Sequence, residues 1–410
     1  MPLITIVLFE DNQCEALRPV GMFRPFYEVR IGSLNLHEIV QSLKIPVETI
    51  VRDLFLYETR TNPDITTLQK NPLLFLNASI EPDVGYLKTI NELIQSGDPF
   101  ISTSGNRLAA ALVPPDKKLP ETLSSQTIHA ALLDMRLPLE KELFTTLDWP
   151  HEVVESHLRL FERNLEHILS TDSYEETMPG VYVRDGKVPP STCLFETQEG
   201  PVVIEKGVII KPFSYLEGPI YIGGDSWIND HSSIKDHTSI GYGCRIGGEV
   251  KASSIESYTN KQHHGFLGNS WVGRWVNLGA GTTTSNLKNT YGTIRMDYSG
   301  NRIETGMQFL GSIIGDFVKT AINTSIFTGK ILGVCSMIYG TVTKNVPSFT
   351  NYARSFGQVT EFSLEQVLTT QKRMFHRRGI EQTPYDIEMM KRIFKMTGNE
   401  RVMSDEQIHI

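Results

Sequence analysis

Between residues 204 and 246 every sixth position is aliphatic: Ile204, Ile210, Leu216, Ile222, Ile228, Ile234, Ile240 and Ile246 fall in register without a gap. Neither a helix, with its period of about 3.6, nor a half-buried strand, with its period of two, explains that. A strict period of six, with Gly, Asp, Asn and Ser between the aliphatics, is the signature of a parallel β-helix built from hexapeptides. Each hexad supplies a short strand and a corner, and three hexads close one triangular coil of about 18 residues. The aliphatic side chain points into the prism and stacks on its equivalent one coil away. Small and polar residues are expected at the corners, where bulk would clash. The pattern returns at Ile314, Ile326, Leu332 and Ile338, so the prism is expected from about residue 200 to about 345, interrupted once.

The rest of the chain reads differently. At 410 residues it has room for two or three domains. Residues 3–9 and 73–76 are apolar runs of the kind found in strands buried on both faces. Residues 33–43 read as a helix capped by Ser33, and Asp83–Ile94 as a second helix stopped by Gly97. Residues 99–113 read as strands joined by Ser104-Gly105-Asn106. Strands alternating with helices indicate an α/β domain over 1–148. An amphipathic helix at 150–169 lies in a linker spanning 149–198, the β-helix occupies 199–350, and a helical extension follows over 351–410. In that extension Ser363 and Thr383-Pro384 mark helix starts. A basic cluster from Lys372-Arg373 to Arg377-Arg378 lies between the two helices, either as a solvated face or as a phosphate contact.

A net charge of −8 disfavours nucleic acid as a partner. No apolar run is long enough for a membrane span and no signal peptide is evident, which points to the cytoplasm. Cys14, Cys193, Cys244 and Cys335 are scattered, without a CxxC pair, and read as reduced thiols.

The chemistry is expected where the hexad register breaks, over residues 247–310. Glu249, Lys251, His263, His264, Asn277 and Asn286 cluster there, with Gly279-Ala280-Gly281 between them. The spacings from Lys251 to His263 and on to Asn277 are each close to two hexads, which would line neighbouring edges of one cleft. His263 alone could be a surface hydrogen-bonder. Beside lysine and asparagine suited to an anionic, hydroxyl-rich ligand it could instead be a general base. The glycines leave backbone N–H groups open to an oxyanion or a pantetheine amide.

These residues resemble the acetyltransferase half of the bacterial bifunctional N-acetylglucosamine-1-phosphate uridyltransferase/glucosamine-1-phosphate acetyltransferase family. The likeness rests on His263 with Phe266-Leu267-Gly268, on Val276-Asn277-Leu278-Gly279-Ala280-Gly281-Thr282, and on Ser285-Asn286. It is strongest to a sugar nucleotidyltransferase branch, through Phe23–Gly32, His263–Ser270 and Ser285–Asn289. The resemblance implies a left-handed β-helix behind a nucleotidyltransferase-like domain. It implies His263 as catalytic base, Lys251, Asn277 and Asn286 at the sugar phosphate or nucleotide sugar, and the Ala280 backbone at acyl-CoA, acetyl-CoA foremost. It also implies a homotrimer with sites between prisms and no metal in them. Phe266 stands where the family has tyrosine, and Leu287-Lys288 where it has Tyr-Asp.

In the N-terminal domain the first strand leads into Glu10-Asp11-Asn12-Gln13-Cys14, with no glycine before Gly21. Asp11, Arg18 and Arg24 form a candidate nucleotide or phosphate site, with Mg²⁺ required only if that domain is active. The other reading of the arginines is that they pin the fold by salt bridges. The sequence therefore points to a transferase acting as an acyl-CoA-dependent N-acetyltransferase. The alternatives are a sugar-1-phosphate nucleotidyltransferase and a non-catalytic scaffold or regulatory protein.

Overall fold

The computed structural model describes residues 4–57, 61–185, 187–298 and 300–402. The chain divides into two compact units, Met1–Glu152 and Val153–Ile410.

The first unit is an α/β domain on six strands: β1 (Thr5–Phe9), β2 (Val47–Ile50), β3 (Leu73–Asn77), β4 (Phe100–Ser104), β5 (Arg107–Val113) and β6 (Leu139–Lys141). They lie in the order β2-β1-β3-β5-β4-β6. β1 pairs in parallel with β2 and β3, whereas β5 runs antiparallel to both β3 and β4. Every residue of β1, β3 and β5 is buried, and within them 6–9, 73–76 and 108–113 are unbroken apolar runs. Helices α1 (Leu36–Gln41), α2 (Ile65–Leu68), α3 (Tyr86–Ser96) and α4 (Ile128–Leu133) lie between the strands. Gly97 ends α3 at φ 67. The cap of α1 is Asn35 rather than Ser33. Asn35 Oδ1 accepts from Glu38 N at 2.8 Å, and Glu38 Oε2 accepts from Asn35 N at 3.1 Å. Asn35 has a carboxylate three residues on to return its bond, whereas Ser33 has Leu36 there.

Helix α5 (Pro150–Thr171) leads into the second unit, burying Val153, Val154, Leu160, Phe161, Leu165 and Ile168. A three-walled parallel solenoid follows. Along the first wall Ile204 pairs with Ile222 and Ile222 with Ile240; along the second Ile210 pairs with Ile228 and Ile228 with Ile246. Along the third, Leu216 pairs with Ile234 and Ile234 with Val250. No aliphatic residue of the ladder is more than 7% exposed, and each such burial contributes about 1.5–3 kcal/mol. The first wall already includes Val181–Val183, paired in parallel with Val202–Ile204.

Beyond Ile246 the walls continue, contrary to the expected interruption. Ile240 pairs with Ile255, Ile246 with Lys261 and Val250 with Leu267. Corners have lost residues, so the register of six slips while the coils persist. Among the described residues beyond Ile246, those of 287–298 and 300–309 leave the wall. They carry the hairpin Arg295–Tyr298/Asn301–Glu304, and a bond from Leu310 N to Asn286 O at 2.9 Å closes their neck. The corners also differ from expectation: Phe213, Tyr258, Trp275 and Phe317 occupy them at φ 60–64. Their side chains project outside the prism, where bulk is tolerated, and the Tyr258 and Trp275 rings stack at 4.5 Å.

Glu175–Met178 runs antiparallel to Val181–Val183 at one end, and Gln358–Glu361 antiparallel to Thr350–Ala353 at the other. Helices α6 (Leu364–His376), α7 (Pro384–Met396) and α8 (Gly398–Val402) complete the unit. Ser363 caps α6, and Thr383 and Asp386 form a capping box on α7. α6 covers part of the second wall, its Phe375 ring 4.7 Å from Trp275. In the basic cluster Arg378 donates to Asn260 Oδ1 at 2.8 Å, while Lys372, Arg373 and Arg377 are exposed. Among the described residues no helix is long and apolar enough to cross a membrane.

Candidate active site

Lys251 ends the strand Glu249–Lys251 on the third wall, in register with Gly268 on the next coil. A Cβ at Gly268 would collide with the Phe266 ring and lie 3.0 Å from Asn286 Nδ2. Only glycine lets that ring fold back beside Asn286. Lys251, Phe266 and Asn286 therefore form one patch. Lys251 Nζ lies 3.0 Å from Asp236 Oδ1, and Asn286 Nδ2 donates to Asn269 Oδ1 at 2.7 Å. A hydrogen bond from His237 holds the Asp236 carboxyl below its usual range, outweighing the opposing effect of burial, with help from Lys251. Sequence reasoning missed Asp236, because an aspartate at a hexad corner is unremarkable. With Lys251 44% exposed the pair is a weak surface contact that a ligand phosphate can displace.

His263 stands at the corner between the second and third walls, three residues before Phe266. It is exposed, and its ring makes no hydrogen bond among the described residues. The corner above is Ala280-Gly281: Gly281 N donates to His264 O at 3.1 Å, and a Cβ on Gly281 would lie 3.3 Å from His264 Nε2. Ala280 O accepts from Asn323 N at 2.7 Å, and, separately, the Ala280 N–H has no acceptor among the described residues. An imidazole able to accept a proton and a free backbone donor thus occupy successive levels of one corner.

Asn277 is not on that patch. It is bridged between Asn260 and Lys319 on the second wall, half-buried. Two hexads make only two thirds of a coil, so that spacing carries Asn277 onto the second wall and not beside Lys251 on the third. The slip of register at shortened corners hid Lys261, which takes the inward position that Ile210, Ile228 and Ile246 hold below it. Its Nζ donates to Gly247 O at 2.7 Å and His263 O at 3.1 Å.

In the first unit, Asp11 caps the short helix Asn12–Leu17 and is 2% exposed. Arg107 grips it from both sides, Nε to Oδ2 at 2.9 Å and Nη2 to Oδ1 at 2.5 Å, and Asn77 Nδ2 donates to Oδ2 at 2.8 Å. Burial raises the carboxyl pKa, but Arg107, Asn77 and the Cys14 N–H together hold it below the ordinary value. Its neighbour Glu10 accepts from Arg52 Nε at 3.0 Å and from Phe26 N at 3.0 Å. Arg18 pairs with Glu15 at 2.7 Å, and Arg24 is buried. Two buried ion pairs thus occupy the turn after β1, and both Asp11 oxygens are engaged. Among the described residues no group of three His, Cys, Asp or Glu is placed to hold a metal ion.

Residues 6–172 match the profile of the sugar nucleotidyl transferase family. The chain is 36% identical over 91 residues to a bifunctional sugar-1-phosphate nucleotidylyltransferase/acetyltransferase of Sulfurisphaera tokodaii, covering 22% of this chain and 23% of the relative. It is 38% identical over 141 residues to the bifunctional protein GlmU of Methanococcus maripaludis, covering 34% of each. The chain thus spans about a quarter to a third of the length of these curated relatives. Among solved structures, the UDP-N-acetylglucosamine acyltransferase of Campylobacter jejuni overlays 52% of this chain and 94% of its own. Its identity is 10% and its TM-score 0.23, and an overlay at that score adds nothing to the fold described above.

Proposed function

We propose that the protein is an acyl-CoA-dependent N-acyltransferase, with acetyl-CoA the foremost donor, acting on the amine of an amino-sugar phosphate or nucleotide sugar. The observation that carries this is the corner where the exposed, unpartnered His263 ring lies one level below the free Ala280 N–H. The patch of Lys251, Phe266 and Asn286 adjoins it. His263 takes a proton from the attacking amine as nitrogen adds to the thioester carbonyl, and the backbone N–H steadies the oxyanion. The C–S bond then breaks, and the thiolate leaves with the proton that the imidazolium returns. Lys251 and Asn286 hold the phosphate. In the homotrimer we propose, with sites between prisms, Asn277 on the adjoining wall serves a neighbouring copy's site. Four buried free thiols fit a reducing cytoplasm.

A second reading, nucleotidyl transfer by the first unit, draws on the family match over residues 6–172. That chemistry needs Mg²⁺, and the residues do not fit it. Asp11 already satisfies Arg107 and Asn77, so we derive no step through a metal there.

The test is thiol release from acetyl-CoA against a panel of amino-sugar phosphates and nucleotide sugars, beside pyrophosphate release from nucleoside triphosphates. Wild type should release thiol, and His263→Ala should lower turnover by about 10²–10⁴ without loss of folded protein. Pyrophosphate release alone would favour the second reading. A His263→Ala variant with every activity intact would favour a scaffold.

A further inference from the structure

Lys261 is a charged residue inside an apolar prism. It is 2% exposed and stands in the aliphatic column of the second wall, above Ile246 and below Leu278. Burial pushes its ammonium down to about 8, against a smaller raising effect from Glu249. Among the described residues no carboxylate reaches it within hydrogen-bond distance; its partners are the carbonyls of Gly247 and His263. The opposing turn is shaped to admit it. Gly248 lies at φ 70, and a Cβ there would come 2.8 Å from Lys261 Nζ and 2.7 Å from His263 O. A Cβ at Gly247 would collide with Gln262 O. Two adjacent glycines, one interior lysine and the His263 carbonyl form a single packed arrangement. A buried amine without a counter-charge is costly, and an aliphatic residue would fill the column at lower cost. Stability alone therefore does not account for a lysine at this position.

We propose that Lys261 is a positioning residue for the His263 corner. From inside the prism its ammonium ties the carbonyls of two successive corners together, which fixes the backbone from which the His263 ring projects. This rests on the reading of His263 as the base. The decisive variant is Lys261→Met, which keeps the unbranched stem and removes the donors. We expect kcat for thiol release to fall roughly ten- to a hundredfold while KM for acetyl-CoA stays within about twofold. The thermal midpoint should be unchanged or higher, because a thioether suits the prism; a purely architectural role would lower it. Amide exchange over residues 260–268 should accelerate about tenfold or more, with the neighbouring coils unaffected. In the double variant with His263→Ala, the lysine change should add less than about twofold, since it acts through the histidine.

Unchanged exchange in Lys261→Met overturns the proposal, with or without a loss of kcat. Raised exchange at full kcat overturns it as well, leaving the lysine only architectural. If instead His263→Ala keeps full turnover, or wild type has none, the base reading fails. The exchange measurement then still decides whether Lys261 holds the corner.

Discussion

Asp11 and Lys261 are both buried charges, and the protein stabilises them in opposite ways. Asp11 has a full counter-ion in Arg107, so Asp11→Asn should cost about 3–5 kcal/mol in chemical denaturation, chiefly by leaving a guanidinium buried and unpaired. Lys261 has only carbonyl dipoles, and its folded-state value of about 8 lies below the ordinary 10.5. Between those values the unfolded chain binds more protons than the folded one, so folding becomes more favourable as pH rises. The stability of wild type relative to Lys261→Met should climb by up to about 3 kcal/mol from pH 7 to 10.5, read from paired urea titrations. Neither environment was legible in the sequence. Asp11 and Arg107 are far apart along the chain, and a lysine after a run of isoleucines looks like the end of the pattern. His263 and Lys251 did stand out, because their spacing carries a family motif that pairings across coils do not disguise.

At the scale of elements, the ladder from Ile204 to Ile246 was readable because a strict repeat fixes both wall and direction of every side chain. Ile234→Ala should therefore cost about 2–5 kcal/mol, as for other fully buried aliphatics. Register failed as a guide where corners shorten. Residues 247–285 looked like a break and are wall. Asn277 landed on the adjoining side because two hexads fall short of a full coil. The true departure, residues 287–309, is joined at its neck by the Leu310–Asn286 bond. Replacing residues 288–308 with a short glycine-containing turn should leave the coils folded but lower the thermal midpoint, because Ile294 and Met296 are buried beside Gly329 and each such burial is worth about 1.5–3 kcal/mol. Circular dichroism on heating reads this. Turnover should drop, since Asn286 sits at the root of the excursion.

At the scale of the molecule, each unit has a core of its own, one around Val7, Phe75 and Ala111 and the other along the prism. A chain that starts at residue 149 should fold and still release thiol from acetyl-CoA, measured beside the full chain. The two-domain division was visible in the change from alternating strands and helices to hexads, whereas the buried ion pairs of the turn after β1 needed side-chain partners to be seen. The reversed strands at the two ends of the prism have a consequence for self-association. A stack of parallel rungs is a template that further copies could extend, as in a growing fibre. On the first wall Glu175–Met178 and on the second Gln358–Glu361 present the wrong polarity for that extension. Parallel extension along the axis is disfavoured on those two walls.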